Sequence, residues 1–134
     1  MRPRVYWKAG EVAGGARPAV DERDRSADDV VLACAACRTP ITSRAARTTV
    51  GGSFEHLGVN PHGFAFRIGC FATAVNVVAS GAPTEFWSWF PGYAWQVETC
   101  ARCGAHLGWL FRSADHRFHG LVLDRLVETG SGGD

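Results

Sequence analysis

Trp89-Phe90-Pro91-Gly92-Tyr93-Ala94-Trp95, followed by Cys100-Ala101-Arg102-Cys103 and His106-Leu107-Gly108-Trp109-Leu110-Phe111, is the stretch that decides the reading of this 134-residue chain. Four of the five tryptophans lie between Thr84 and Phe111. A core can be built from Leu, Ile and Val, whereas clustered indoles add large flat faces, each with an N–H that must find a partner. Alternation predicts one strand over 94–99 and another over 106–112, flanking the Cys100–Cys103 turn. It places Trp95, Val97 and Thr99 on one face of the first, and Leu107, Trp109 and Phe111 on one face of the second. Pro91-Gly92 is a turn inside the tryptophan segment. Tryptophan is mostly buried in proteins, which favours an ordinary core. The crowding of these indoles beside glycine, proline and loop chain favours instead a small concave site lined by Trp89, Trp95 and Trp109.

The cysteines supply the pin. Four of the five form two C-x-x-C pairs, Cys34/Cys37 and Cys100/Cys103, with 62 residues between Cys37 and Cys100. Each pair puts two thiolates on one tight turn, and two such turns offer the four soft ligands of a tetrahedral zinc. A closed tetrathiolate leaves no open position for water, so one structural Zn(2+) per chain is expected. The spacing makes that ion a clamp between distant segments. Cys70, the fifth, falls on the apolar face of a predicted strand, where a thiol behaves as a small hydrophobe.

Working outward, residues 1–28 are rich in Arg, Asp, Gly, Ala and Pro without any sustained period, and read as a flexible extension. A domain is expected at 29–127, with a disordered tail at 128–134. Val30 to Ala33 predicts a short strand delivering Cys34 and Cys37. Ile41 to Thr49 is a strand or an irregular arm, with Arg44 and Arg47 on a solvated face. Val50-Gly51-Gly52-Ser53 is a turn before a strand ending at Val59, and Asn60-Pro61-His62-Gly63 is another turn. Phe64, Phe66, Ile68 and Cys70 alternate toward the core. Residues 72–79 read as a helical turn or an irregular crossing that Ser80-Gly81-Ala82-Pro83 ends, and 118–123 as a last strand. No long helical period occurs, so the class is all-β with several short strands.

Charge and length exclude several functions. Lys+Arg 14 against Asp+Glu 13 gives a formal net charge of +1, which offers nucleic acid or an anionic membrane little attraction. No apolar run approaches the roughly 18–20 residues needed to span a bilayer. The first residues lack the apolar core of a secretory signal, so a cytoplasmic location is expected. No Ser-His-Asp order, H-E-x-x-H or phosphate loop is present, so no enzyme activity is expected. His116 and His119 read as exposed turn and edge residues, His56 and His106 as structural, and His62 as a neighbour of the site.

Trp89 to Trp95, the two C-x-x-C pairs, His106-Leu107-Gly108-Trp109-x-Phe111 and Asn60-Pro61-His62-Gly63 occur in an order that resembles the CULT domain of the cereblon family, the thalidomide-binding module, over about Leu32 to Leu126. The resemblance implies a single-domain, bacterial-type member with a β-tent fold: two antiparallel sheets, roughly orthogonal, pinned by zinc at Cys34, Cys37, Cys100 and Cys103. It implies an aromatic cage of Trp89, Trp95 and Trp109, closed by Phe111 and bordered by Asn60 and Pro61. Its ligands would be cyclic imides of the glutarimide and thalidomide type, uridine-like rings, or peptides ending in a cyclic imide. Polar contacts would come from the backbone just before the first cage tryptophan, here the Trp87 carbonyl and the Trp89 N–H, with Phe86 and Ser88 alongside. One departure stands out. The family pattern Thr-Glu-His-Ser-Trp is replaced by Thr84-Glu85-Phe86-Trp87-Ser88-Trp89, so one residue is inserted and Phe86 or Trp87 takes the place of the rim histidine. The length leaves no room for the Lon-like domain, so no ubiquitin-ligase adaptor is expected as partner.

Two alternatives belong to other classes. A methionine sulfoxide reductase of the B type shares the fold and the zinc, yet its nucleophile follows the second pair, where this chain has no cysteine. A cage for a cationic ammonium would use the same indole faces, with Glu85 as counter-charge.

Overall fold

A computed structural model of the chain describes residues 30–129. The extension expected at 1–28 and residues 130–134 of the expected tail lie outside the described residues.

Among the described residues nine strands form two antiparallel sheets, and no α-helix occurs. They are β1 (Val31–Cys34), β2 (Pro40–Ser43), β3 (Glu55–Val59), β4 (Ala65–Phe71), β5 (Val77–Thr84), β6 (Ala94–Cys100), β7 (His106–Arg112), β8 (Arg117–Val122) and β9 (Leu126–Glu128). The smaller sheet runs β9-β1-β2 and the larger β3-β4-β8-β7-β6-β5. The fold is therefore all-β, as the short alternating runs predicted.

Both faces of the central strands are used. Ile68, Cys70, Trp109, Phe111 and Phe118 gather on one side with Phe90. Phe71, Leu107 and Leu121 turn to the other and pack with Cys34 and Ile41 of the small sheet. This double coverage explains why β4 ends in four consecutive buried residues instead of alternating.

Several boundaries differ from the sequence reading. Phe64 was expected to face the core, but it precedes β4 in the turn and is 65% exposed. Residues 80–83 were expected to end a crossing, yet they lie within β5. That strand is an edge, where Pro83 costs no ladder bond and the register slips between Ser80 and Thr84. The chain past Val122 makes a 3-10 turn, Leu123–Arg125, and then β9, which pairs with β1. Paired chain thus continues past the expected boundary at 127, with Glu128 opposite Leu32 and the Thr129 N–H on the Val31 carbonyl at 2.9 Å. His119, expected at an exposed edge, is mostly covered, its Nδ1 lying 2.9 Å from the buried Glu98 carboxylate.

Candidate functional site

The two C-x-x-C turns share one local design. Cys34 O accepts the N–H of Arg38 at 2.7 Å, and Cys100 O accepts the N–H of Gly104 at 2.9 Å. Arg38 and Gly104 both have left-handed backbone, φ 67° and 80°, which redirects the chain immediately after the second cysteine of each pair. Gly104 adopts this conformation freely, while Arg38 does so against its Cβ.

β1 ends at Cys34 and β6 at Cys100, so the turns meet where the two sheets do. The four Sγ atoms lie within 4.8 Å of one another, with Cys34 to Cys103 and Cys37 to Cys100 each at 3.6 Å. Ligands at about 2.3 Å around a tetrahedral ion stand roughly 3.8 Å apart, so the cluster has the dimensions to hold a metal. Its electrostatics agree. The Thr39 hydroxyl, 3.1 Å from Cys37 Sγ, and the Thr39 N–H hold that thiol down to about 6. At Cys103 the Ala105 N–H pulls the other way, but desolvation and the three neighbouring sulfurs carry the thiol up to about 11. Crowded thiols resist joint ionisation, and a cation at their centre removes that resistance.

On the opposite face of the large sheet from Glu98, β6 and β7 set Trp95 across from Phe111 and Val97 across from Trp109. Trp89 enters from the β5–β6 loop. Its ring centroid stands 4.9 Å from that of Trp109, with the planes 74° apart, and 6.4 Å from that of Phe111. These five side chains line a cavity of about 300 Å³, whose rim is completed by Asn60, Pro61 and His62 on one side and Phe86 and Trp87 on the other. Trp109 and Phe111 are buried, while Trp89 and Trp95 are half-buried. The tryptophans thus form walls around a space, not an interleaved core.

The walls are fixed by their polar edges. Trp89 and Trp87 both donate their indole N–H to the Val59 carbonyl, at 3.0 and 2.7 Å. Trp95 donates to the Phe86 carbonyl at 2.7 Å. Asn60 Oδ1 accepts the N–H groups of His62 and Phe64, shaping the rim turn. Trp87, in the segment that carries the insertion, has φ 58°, a conformation costly for a large side chain. The Trp89 backbone N–H and the Trp87 carbonyl have no hydrogen-bond partner among the described residues.

Of the expected site residues, Ser88 does not line the cavity. Its hydroxyl is spent on Phe90, donating to the carbonyl at 3.1 Å and accepting the N–H at 3.3 Å. Glu85, the candidate counter-charge, also lies outside the lining, which contains no carboxylate. Cys70 is fully buried, and burial pushes its thiol up to about 11. His106 acquires a role that strand alternation concealed. The register shifts between Glu98 and Thr99, with Glu98 opposite Gly108 and Thr99 opposite His106, so Leu107 is an extra residue. This bulge turns Leu107 to the other core and brings the His106 ring 4.7 Å from that of Trp109, perpendicular to it.

Fold and site together define a two-sheet β domain with a four-cysteine cluster on one side of the larger sheet and an aromatic cavity on the other. Comparisons with known proteins place this class more closely. Cereblon of Danio rerio is 38% identical over 76 residues, covering 53% of this chain and 18% of that protein. Cereblon of Gallus gallus is 39% identical over 74 residues, covering 52% and 17%. Cereblon of Xenopus tropicalis is 37% identical over 73 residues, covering 51% and 16%. The chain is thus related to cereblon, as its motifs implied, and spans less than a fifth of the length of these curated relatives. The crystal structure of the Mis18 'Yippee-like' domain shares the fold, with a TM-score of 0.54 at 14% identity over 77% of this chain and 97% of that one. No family model matches the chain. No described helix is long and apolar enough to cross a membrane.

Proposed function

We propose that the cavity binds a small, flat, neutral ring carrying an N–H beside a carbonyl, a cyclic imide such as glutarimide, and that the four cysteines hold a structural Zn(2+). The observation that carries this reading is the convergence of Trp89, Trp95 and Trp109 on one space of about 300 Å³, next to an unspent backbone donor at Trp89 and an unspent acceptor at Trp87. Indole faces take the aliphatic edge of such a ring, at about 25 cal/mol for each Å² of apolar area removed from water. The backbone pair matches the imide edge, and a match of this kind rejects analogues that lack it. Uridine-like rings and a cyclic imide at a peptide end present the same edge.

The absence of a carboxylate from the lining favours a neutral ligand over an ammonium, which would want one close by. The buried, hard-to-ionise Cys70 does not suit a nucleophile, so the reductase alternative has no foothold there. Calorimetric titration with glutarimide, N-methylglutarimide and tetramethylammonium tests the reading. Glutarimide should bind, the N-methyl compound at least roughly tenfold more weakly for want of its N–H, and the ammonium not at all. Equal binding of both imides would remove the backbone pair from the account, and preferential binding of the ammonium would replace the reading.

A further inference from the structure

Trp109, the most buried of the three tryptophans, is supported by two rings outside the cavity lining. His106 stands edge-on to it at 4.7 Å and 89°, and Phe66 at 5.2 Å and 73°. Both supports meet the same guanidinium. Arg125 donates to the His106 carbonyl at 3.0 Å, lies 3.2 Å from His106 Nδ1, and places its Cζ 5.6 Å from the Phe66 centroid. A guanidinium has no lone pair to offer, so Nδ1 must accept and Nε2–H must donate, which it does to the Gly108 carbonyl at 3.0 Å. Arg125 therefore sets the tautomer and the plane of His106 while holding Phe66 by its face.

The backbone of the same residue reaches the cysteine cluster. Arg125 closes the 3-10 turn that carries the chain from β8 to β9, and its carbonyl accepts the N–H of Ala35 at 3.0 Å. Ala35 lies between Cys34 and Cys37. One residue thus touches the first cysteine turn through its main chain and both supports of Trp109 through its side chain.

We propose that Arg125 is a positioning residue through which the four-cysteine turn sets the orientation of the Trp109 wall of the cavity. It does not line the cavity, so its effect on a ligand is indirect and passes through Trp109. A coupling of this kind is reciprocal: the factor by which metal in the cluster changes ligand affinity is the factor by which ligand changes metal affinity.

The test uses the full chain, loaded with cobalt(II) so that the thiolate charge-transfer band reports the cluster, and with zinc for nitrogen–proton NMR of the indole groups. In Arg125→Met the cobalt band should keep its position and intensity while the Trp109 indole cross-peak, assigned with Trp109→Phe, shifts and broadens. Arg125→Lys, which keeps a cation and a donor, should return the cross-peak close to its wild-type position. Glutarimide affinity should fall about tenfold in Arg125→Met and recover in Arg125→Lys, a size within the usual range for coupled sites. The affinity arm rests on the imide reading, whereas the indole arm does not. Should the wild-type chain ignore glutarimide, the ligand assignment fails and the cross-peak alone still decides the role of Arg125. An unmoved Trp109 cross-peak in Arg125→Met, or a shift that Arg125→Lys fails to reverse, overturns the proposal. Should Arg125→Met not fold, Arg125→Gln replaces it, keeping a donor for His106 and losing the cation over Phe66. A shifted cross-peak in Arg125→Gln then supports the proposal, and an unmoved one overturns it.

Discussion

Gly58 brings its bare Cα against the indole of Trp89. A Cβ built on Gly58 would stand 2.5 Å from Trp89 Cε2 and Cε3, far inside van der Waals contact. The residue is buried on β3, directly before Val59, whose carbonyl takes the Trp89 indole N–H. Gly58 therefore sets how deeply Trp89 seats against the larger sheet. Gly58→Ala should push Trp89 into the cavity and weaken glutarimide binding by roughly tenfold or more, since misplacing one wall loses contact along its whole face. Metal content should be unchanged. Affinity and bound zinc measured on the same preparation check this, and unchanged affinity would show that Trp89 does not shape the ligand space.

The tryptophans themselves should separate into two kinds. Trp89 and Trp95 are half-buried, so Trp89→Ala and Trp95→Ala should cost the ligand about 2 kcal/mol, roughly 30-fold in Kd, at little cost to folding. Trp109 belongs to the core cluster with Phe111 and Phe118. Trp109→Ala should therefore lose about 3–5 kcal/mol of stability as well as binding. Denaturant melts of the three variants, run beside ligand titrations, distinguish these outcomes. Equal destabilisation by all three would make the indoles ordinary core.

Much of this was legible in the chain. The two C-x-x-C pairs predicted the cluster outright, because thiol spacing is a local property and the sulfurs can meet in few ways. Trp89, Trp95, Trp109 and Phe111 were legible from period two plus the motif order. What was missed depends on irregular backbone or distant partners. The bulge at Leu107 reverses its face and hides the role of His106, and no pattern of apolar residues announces a bulge. Ser88 was placed at the site by its neighbours, but its hydroxyl is satisfied within its own turn. β9 is three residues long and exists through its pairing with β1, almost a hundred residues earlier, while Arg125 matters through contacts with three separate segments.

Metal removal should undo the fold and not only the site. Cys34 and Cys100 are both buried in the core that joins the two sheets, and ion binding to the folded state adds directly to its stability. Excess chelator, or Cys100→Ser, should lower the melting temperature sharply and abolish glutarimide binding with it. A chelated chain that melts as before, with the ligand still bound, would leave the clamp without a structural role.

Acid should weaken the fold through His106. Burial lowers its pKa below the ordinary 6.5; the Gly108 carbonyl opposes that shift and Arg125 adds to it. The unfolded chain then binds the proton more readily than the folded one, so stability rises with pH across this window. The contribution is present above about 6.5 and is lost as pH falls toward the depressed folded value. Denaturant melts between pH 5.5 and 7.5 should show this slope in the wild-type chain and a flatter one in His106→Gln, which keeps a donor for Gly108. Identical slopes would mean that His106 titrates as it does in the unfolded chain.

The most direct measurement is a titration of the zinc-loaded chain with bare glutarimide, followed by its own indole emission. A cavity walled by Trp89, Trp95 and Trp109 predicts a saturable change in emission at one ligand per chain, moved to roughly 30-fold higher glutarimide in Trp89→Ala. An emission spectrum that stays constant to millimolar glutarimide, in protein shown to be folded and metal-loaded, would contradict the account.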